Sequence, residues 1–284
     1  MEQLRILRFI MISLLIFIIS ADVQDQAKNS ENNLTIERIV NGRVSQNCQF
    51  SGIVHINGAE GFQCAGNLLD KDYVLSAGHC VAKRNRSLEL SISMGSTVRS
   101  EATTNRHVSQ IIVHEAFRHD NGNYYNDIAL LKMTNSVSYG PCLQSVQLPH
   151  PKDSFNRSCI AAGWGKTVYE PLENALQYVT LLLLNNSACL EERKKVGRLV
   201  KPHHLCTGTM RKGGRGSTCN GDSGGPLYCR NQKNELVLLG ITSFGDKKCS
   251  KGTSYYTSVN YFLDWIHEKI QNKTSSNNRT VTWK

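Results

Sequence analysis

The chain has 284 residues, 40% of them apolar and 20% charged, with ten cysteines and a formal net charge of +10. This length holds one or two ordinary domains with a core large enough to fold unaided, the apolar share excludes a disordered chain, and no glycine period marks a fibre. Ten cysteines, an even number with no Cys-x-x-Cys pair among them, exclude a typical cytosolic protein and point to disulfides made in an oxidising compartment.

From the N-terminus, Arg5 and Arg8 precede the apolar run Phe9–Ile19, which closes on Ser20 and Ala21. A positive start, a short apolar middle and small residues at the end form the order of a secretory signal peptide, read here as residues 1–21. The run is shorter than the roughly 20 residues of a spanning helix, and no later segment can cross a bilayer either. The expected location is secreted and extracellular. Six Asn-x-Ser/Thr triplets, at Asn33, Asn85, Asn156, Asn185, Asn272 and Asn278, fit that route as glycosylation acceptors.

Residues 22–38 are polar, lack cysteine and show no periodicity, so they read as a solvated leader. The character changes at Arg38-Ile39-Val40-Asn41-Gly42. Short apolar runs broken by Gly, Asn, Ser and Pro follow to about residue 260, among them Gly52–Ile56, Tyr73–Ser76, Leu88–Ser93, Ile128–Leu131, Leu236–Ile241 and Tyr255–Val259. Many short strands between turn signals predict an all-β sandwich or barrel. Phe262, Ile266 and Ile270 then recur every four residues, with Leu263 and Trp265 beside them, which predicts one amphipathic helix with Asn260 as its N-cap. Residues 273–284 form a polar tail.

Three local sequences carry chemistry: Leu75-Ser-Ala-Gly-His79-Cys80, Asn126-Asp127-Ile-Ala-Leu130 and Cys219-Asn-Gly221-Asp222-Ser223-Gly-Gly-Pro-Leu227. A serine hydroxyl is a poor nucleophile at neutral pH and needs a base to take its proton as it attacks. Imidazole suits that task, and a carboxylate fixes its tautomer and stabilises the imidazolium. His79, Asp127 and Ser223 supply the three groups. Glycine beside Ser223 lets the amides of Gly221 and Ser223 point at a developing oxyanion. Gly-Asp-Ser-Gly-Gly also satisfies the loose Gly-x-Ser-x-Gly elbow of α/β-hydrolases. That fold runs Ser, acid, His, whereas here His79 and Asp127 precede Ser223 and only His267 follows it. The pair His114 and His119 is spaced by five rather than four, so it lacks the spacing of a zinc helix, and no other Cys/His set has zinc spacing. No catalytic metal and no cofactor are expected.

With these motifs in this order, the sequence resembles the trypsin/chymotrypsin family of serine endopeptidases from Ile39 to about Gln271. The resemblance implies two packed six-stranded antiparallel β-barrels with a C-terminal α-helix, the site lying between them, in a protease domain of residues 39–272. It implies that 22–38 is an activation propeptide, cut after Arg38 by a separate trypsin-like protease, so that the freed amine of Ile39 pairs with Asp222. It also implies that Ser243 hydrogen-bonds the triad carboxylate, and that Phe244 and Gly245 line the substrate path, with Phe244 where the family usually has Trp. Gly78 stands where the family usually has Ala. By resemblance Cys64 pairs with Cys80, Cys159 with Cys229, Cys189 with Cys206 and Cys219 with Cys249; parity then pairs the remaining Cys48 with Cys142. The stretch Gly95–Glu101 lacks acidic residues at the places where trypsins hold calcium.

The same resemblance places Ser217 at the floor of the specificity pocket, with Gly245 and Ser254 on its walls. A serine floor gives a cationic side chain no partner, so cleavage after apolar or aromatic residues is expected, although Asp246 near the rim could restore some basic preference. Expected partners are protein or peptide substrates, protein inhibitors and the activating protease, for a chain expected to be a monomer. The residues after 38 carry 29 basic against 18 acidic groups. Their basic clusters, Lys83-Arg84-Asn-Arg86, Arg193-Lys-Lys195 and Arg211-Lys212, read as a solvated surface or as a site for acidic glycans. Nucleic-acid recognition has no motif. The rival reading is a non-catalytic secreted homologue that keeps the barrels and acts as a binding protein.

Overall fold

The computed structural model describes residues 42–59, 61–83, 89–120, 122–166, 174–195, 201–210, 217–245 and 253–271. Alternation along single strands builds the architecture. In the strand Ala129–Met133 (β9), Ala129, Leu131 and Met133 point into one core, while Leu130, like Ile128 just before the strand, belongs to another. Successive side chains of a strand face opposite ways, so each strand serves two cores.

The first core fills a closed barrel. Its strands are Ile53–Gly58 (β2), Gly61–Leu68 (β3), Tyr73–Ser76 (β4), Ser91–Met94 (β5), Thr104–Val113 (β6) and β9, in the order β2-β3-β4-β9-β6-β5 with antiparallel neighbours. Val54, Ile56, Leu68, Ile92, Met94 and Val108 occupy the interior.

The second barrel comprises Phe155–Gly163 (β10), Gln177–Leu183 (β11), His204–Thr209 (β12), Pro226–Asn231 (β13), Leu236–Gly245 (β14) and Ser254–Ser258 (β15). β11 closes it by dividing one edge: Leu181–Leu183 pair with β12, while Gln177 and Tyr178 pair with the short strand Arg43–Val44 (β1). Ala161, Val179, Leu181, Leu227, Leu239 and Tyr256 fill this interior. A two-stranded ribbon, Arg118–Asp120 (β7) with Asn123–Tyr125 (β8), lies beside the barrels.

Between the barrels runs a third apolar cluster with Ile53, Leu75, Ile128, Leu130, Trp164, Tyr228, Leu238 and Ile241, completed by Phe262, Leu263 and Ile266. The last three belong to the expected C-terminal helix, whose α-helical part is Leu263–Gln271. Asn260 is not its cap. Residues Asn260–Phe262 form a 3-10 turn, and the Ser258 hydroxyl accepts the Tyr261 amide at 3.4 Å. A second helix, Asn186–Lys195, has no amphipathic pattern to announce it. It is started by the Asn185 side chain, which accepts the Ala188 amide at 2.9 Å, the bond an N-cap makes.

Disulfides join Cys64 to Cys80, Cys159 to Cys229, Cys189 to Cys206 and Cys48 to Cys142. The last has a sequence separation of 94 and so restricts the unfolded chain most, by about 4–5 kcal/mol on the chain-entropy account. Cys219 is also disulfide-bonded, and Cys249, its expected partner, lies outside the described residues. No helix among the described residues is long and apolar enough to cross a membrane.

Candidate active site

β4 ends at Ser76, Ala77 is extended, and a single helical turn, Gly78–Val81, follows. That turn presents His79 at the cleft, anchored from behind by the Cys64–Cys80 bridge. The His79 amide donates to Asp127 Oδ1 at 2.7 Å, and His79 Nδ1 lies 2.7 Å from Asp127 Oδ2. One carboxylate therefore fixes both the backbone and the ring of the histidine. Gly78 does not leave the turn loose, because a Cβ there would meet Phe117 Cδ2 at 3.0 Å and so the Phe117 ring fills that room.

Asp127 follows Asn126, which holds a positive φ of 49° between β8 and β9. Its carboxylate is fully buried, yet it accepts from the His79 amide, from Nδ1 and from Ser243 Oγ at 2.5 Å. A buried charge is tolerated when its lone pairs are satisfied in this way. Its main-chain oxygen accepts Thr257 Oγ1 at 2.8 Å. Ser243 and Thr257 are both residues of the second barrel, so a residue of the first is held by hydroxyls of the other.

Ser223 sits on a turn shaped by two glycines of positive φ, Gly221 at 100° and Gly224 at 78°. The Ser223 carbonyl accepts the Ala65 amide at 2.8 Å, and the Gly224 carbonyl accepts Asn67 Nδ2 at 2.9 Å. A Cβ on Gly224 would lie 2.2 Å from Ser76 Oγ and 2.3 Å from the Ala65 oxygen, so only glycine permits this approach to β3 and β4. The amides of Gly221 and Ser223 meet no acceptor among the described residues, which leaves both available to an oxyanion. The structure brings His79, Asp127 and Ser243 into one bonded set. The Ser223 hydroxyl makes no hydrogen bond to the ring, and His79 Nε2 lies 3.8 Å from Cys80 Sγ. Such nucleophile–base bonds commonly tighten only around substrate.

Asp222 is fully buried. Its oxygens accept the Gly165 and Cys219 amides, each at 2.8 Å, and Gly163 and Gly165 leave the space that it occupies. Burial pushes its carboxyl up to about 6, while the two amides pull the other way. Arg38 and Ile39 lie outside the described residues, as do Asp246 and the sequons at Asn33, Asn85, Asn272 and Asn278. Asn156 and Asn185 are exposed.

Ser217 and Ser254 are buried, and Ser254 Oγ accepts the Thr218 amide at 3.0 Å. Gly245 ends β14, and among the described residues a Cβ there would touch only Thr218 O and Thr253 O, at 3.8 and 3.9 Å. Phe244 stacks on Tyr255 with centroids 4.9 Å apart. Sequence reasoning missed two residues here. Tyr256, two after Ser254 and hence on the same face of β15, is buried near Thr207, Thr218 and Ser254. Tyr124 lies flat between two imidazoles, 4.6 Å from His79 and 4.6 Å from His119. No local pattern in the sequence marked Tyr124.

Among the described residues, one group could offer three clustered metal-ligating atoms, Cys64, His79 and Cys80. Both of its sulfurs are in a disulfide and have no thiolate to give.

A trypsin family model matches residues 39–266. CLIP domain-containing serine protease B4 of Anopheles gambiae is 29% identical over 258 residues, covering 82% of this chain and 71% of that protein. Ovochymase-2 of Mus musculus is 32% identical over 252 residues, covering 82% of this chain but 41% of that protein. The chain belongs to the trypsin family, and residues 39–266 are a trypsin-family serine protease domain.

Proposed function

We propose that this is a secreted serine endopeptidase, made as a precursor and cut after Arg38, that prefers apolar or aromatic residues before the scissile bond. Ser223 Oγ attacks the peptide carbonyl carbon as His79 Nε2 takes its proton. The oxyanion forms at the amides of Gly221 and Ser223. His79 returns the proton to the departing amine, which leaves an ester on Ser223. Water, deprotonated by the same ring, then hydrolyses the ester and restores the serine. The observation that carries this reading is the bonding of Nδ1 to a buried, triply satisfied carboxylate, which leaves Nε2 as the base.

The preference is supported by uncharged hydroxyls where a cationic side chain would need a carboxylate, and by the open position at Gly245. The Arg38-Ile39 sequence and the buried Asp222 support the precursor. Burying an ammonium and a carboxylate separately costs several kcal/mol each, so the two enter together. The apolar run near the start of the chain, the disulfides and the sequons support secretion. The test is labelling by a fluorophosphonate probe after cleavage at Arg38. Labelling that disappears in Ser223→Ala supports the reading, and an unlabelled, folded, cleaved chain overturns it.

A further inference from the structure

Tyr124, Tyr125 and Asn126 lead into Asp127, and two adjacent histidines where β12 begins grip this lead from the second barrel. His204 Nε2 donates to the Tyr124 carbonyl at 2.9 Å, and His203 Nε2 accepts the Asn126 amide at 3.4 Å. The two bonds run in opposite senses and fix the lead at both ends. His204 is also the register partner of Thr257, whose hydroxyl donates to the Asp127 carbonyl at 2.8 Å. One rung of the β12–β15 pair thus holds two carbonyls, one on each side of Asn126. That residue needs holding. A non-glycine residue at a φ of 49° persists only where its surroundings fix it, and its side chain adds a third tie, to the Ala116 carbonyl at 2.8 Å.

These bonds require uncharged rings. To accept, His203 Nε2 must carry no proton. His204 donates from Nε2, so its Nδ1, which accepts the Lys201 amide at 3.3 Å, must carry none either. Both residues are buried, with ring centroids 4.4 Å apart. Tyr261 and Phe262 pack against His203, and Tyr125 and Phe244 against His204. The cavity that His203 borders is lined by the cations Arg118 and Lys201 and by no carboxylate. Asp127 is already committed to His79 and Ser243. A second proton on either ring would set a donor against an N–H and release one end of the lead. Both the acid and Tyr124, whose ring stacks on His79, would then be free to shift.

We propose that His203 and His204 are positioning residues for Asp127, holding the triad acid in place only while both rings are uncharged. The proposal rests on the proteolytic reading of the same site, because what the pair governs is the bond of Asp127 to His79.

The test compares three variants. His204→Leu fills the space without a donor, His204→Gln keeps an N–H for the Tyr124 carbonyl, and His203→Gln with His204→Gln keeps polar partners that do not titrate. In the chain cut after Arg38, kcat at about pH 8 should fall about tenfold in His204→Leu with KM changed less than about threefold, and His204→Gln should recover most of the loss. The acid limb of log kcat/KM separates the pair from the base. Titration of His79 and Asp222 is common to all these chains, so the native limb should be steeper than that of the double glutamine chain by about one. A second readout needs no turnover. In the cut Ser223→Ala chain, the proton resonance of His79 Nδ1–H should be displaced by His204→Leu and kept by His204→Gln. If the cut native chain is inactive, the proteolytic reading fails and this resonance alone decides on the pair; if His204→Leu does not fold, the acid slopes decide. The proposal is overturned if His204→Leu changes neither kcat nor the resonance, if glutamine recovers neither, or if the native and double glutamine chains share one acid slope.

Discussion

Ser243 and His79 meet on a single oxygen: Oδ2 of Asp127 accepts the serine hydroxyl at 2.5 Å and faces the ring nitrogen at 2.7 Å, while Oδ1 is taken by the His79 amide. The acid thus orients the ring through one bond and is itself oriented by another. Asp127→Asn would place a donor where the ring nitrogen must donate and favour the wrong tautomer. Its expected cost in kcat is about 10⁴-fold, the size seen for this change in the family's template enzyme. Ser243→Ala removes one bond to a charged acceptor and should cost about tenfold in kcat with KM little changed. Steady-state kinetics on a peptide ester would check both, and equal losses for the two would refute the hierarchy.

Asp222 makes a pH signature. A carboxyl raised in the folded state favours folding only while protonated, so its contribution is full below about 3.8 and is lost as pH rises through about 6. A shift of this size corresponds to roughly 3 kcal/mol. Denaturant unfolding of the uncut Ser223→Ala chain should show this loss between about pH 4 and pH 6, and Asp222→Asn should remove it. Parallel stability curves for the two chains would count against the assignment.

The proposed pocket floor at Ser217 predicts a specificity exchange. Ser217→Asp supplies the missing carboxylate and should move a peptide-library profile from apolar residues towards Arg and Lys. Gly245→Val would put a branched side chain between the walls at Thr218 and Thr253 and should depress turnover of aromatic substrates more than of alanyl ones. A native profile already dominated by Arg and Lys would contradict both.

Gly224 and Gly140 make a matched pair. Alanine at 224 meets backbone and a buried hydroxyl at a positive φ and should cost roughly 2–5 kcal/mol. At Gly140 nothing among the described residues lies within 4 Å of a new Cβ, and the change should fall within about 0.5 kcal/mol. Denaturant midpoints would separate them.

The C-terminal helix is held by two contacts of unequal worth. Glu115 accepts Trp265 Nε1 at 3.0 Å and pairs with Lys269 at 2.6 Å, and these contacts hold its carboxyl down at about 2. Any stability it gives is present above its ordinary carboxyl range and is lost only as pH falls through about 2. Glu115 is exposed and Lys269 half-buried, so Glu115→Ala should cost under about 1 kcal/mol, whereas Ile266→Ala, fully buried in the seam, should cost about 2–5 kcal/mol.

Much of this was legible before any coordinates. Strands such as β4 and β9 show in the sequence as short, nearly continuous apolar runs, because both of their faces are buried. The helix Asn186–Lys195 did not, because its start rests on one Asn185 bond and a disulfide rather than on an apolar stripe. Local motifs pointed to His79, Asp127 and Ser223, since glycine and small residues must surround them. Tyr124 stayed hidden because its contact with His79 joins residues 45 positions apart, and no spacing rule encodes stacking.

Among the bonds that cross between the barrels, two run in opposite directions: Ala65 of the first fastens Ser223, and Thr257 of the second fastens Asp127. Each half therefore keeps custody of the other's reactive group. A slight parting of the halves, too small to melt either one, would silence the enzyme, so activity on warming should vanish ahead of any spectroscopic sign of unfolding.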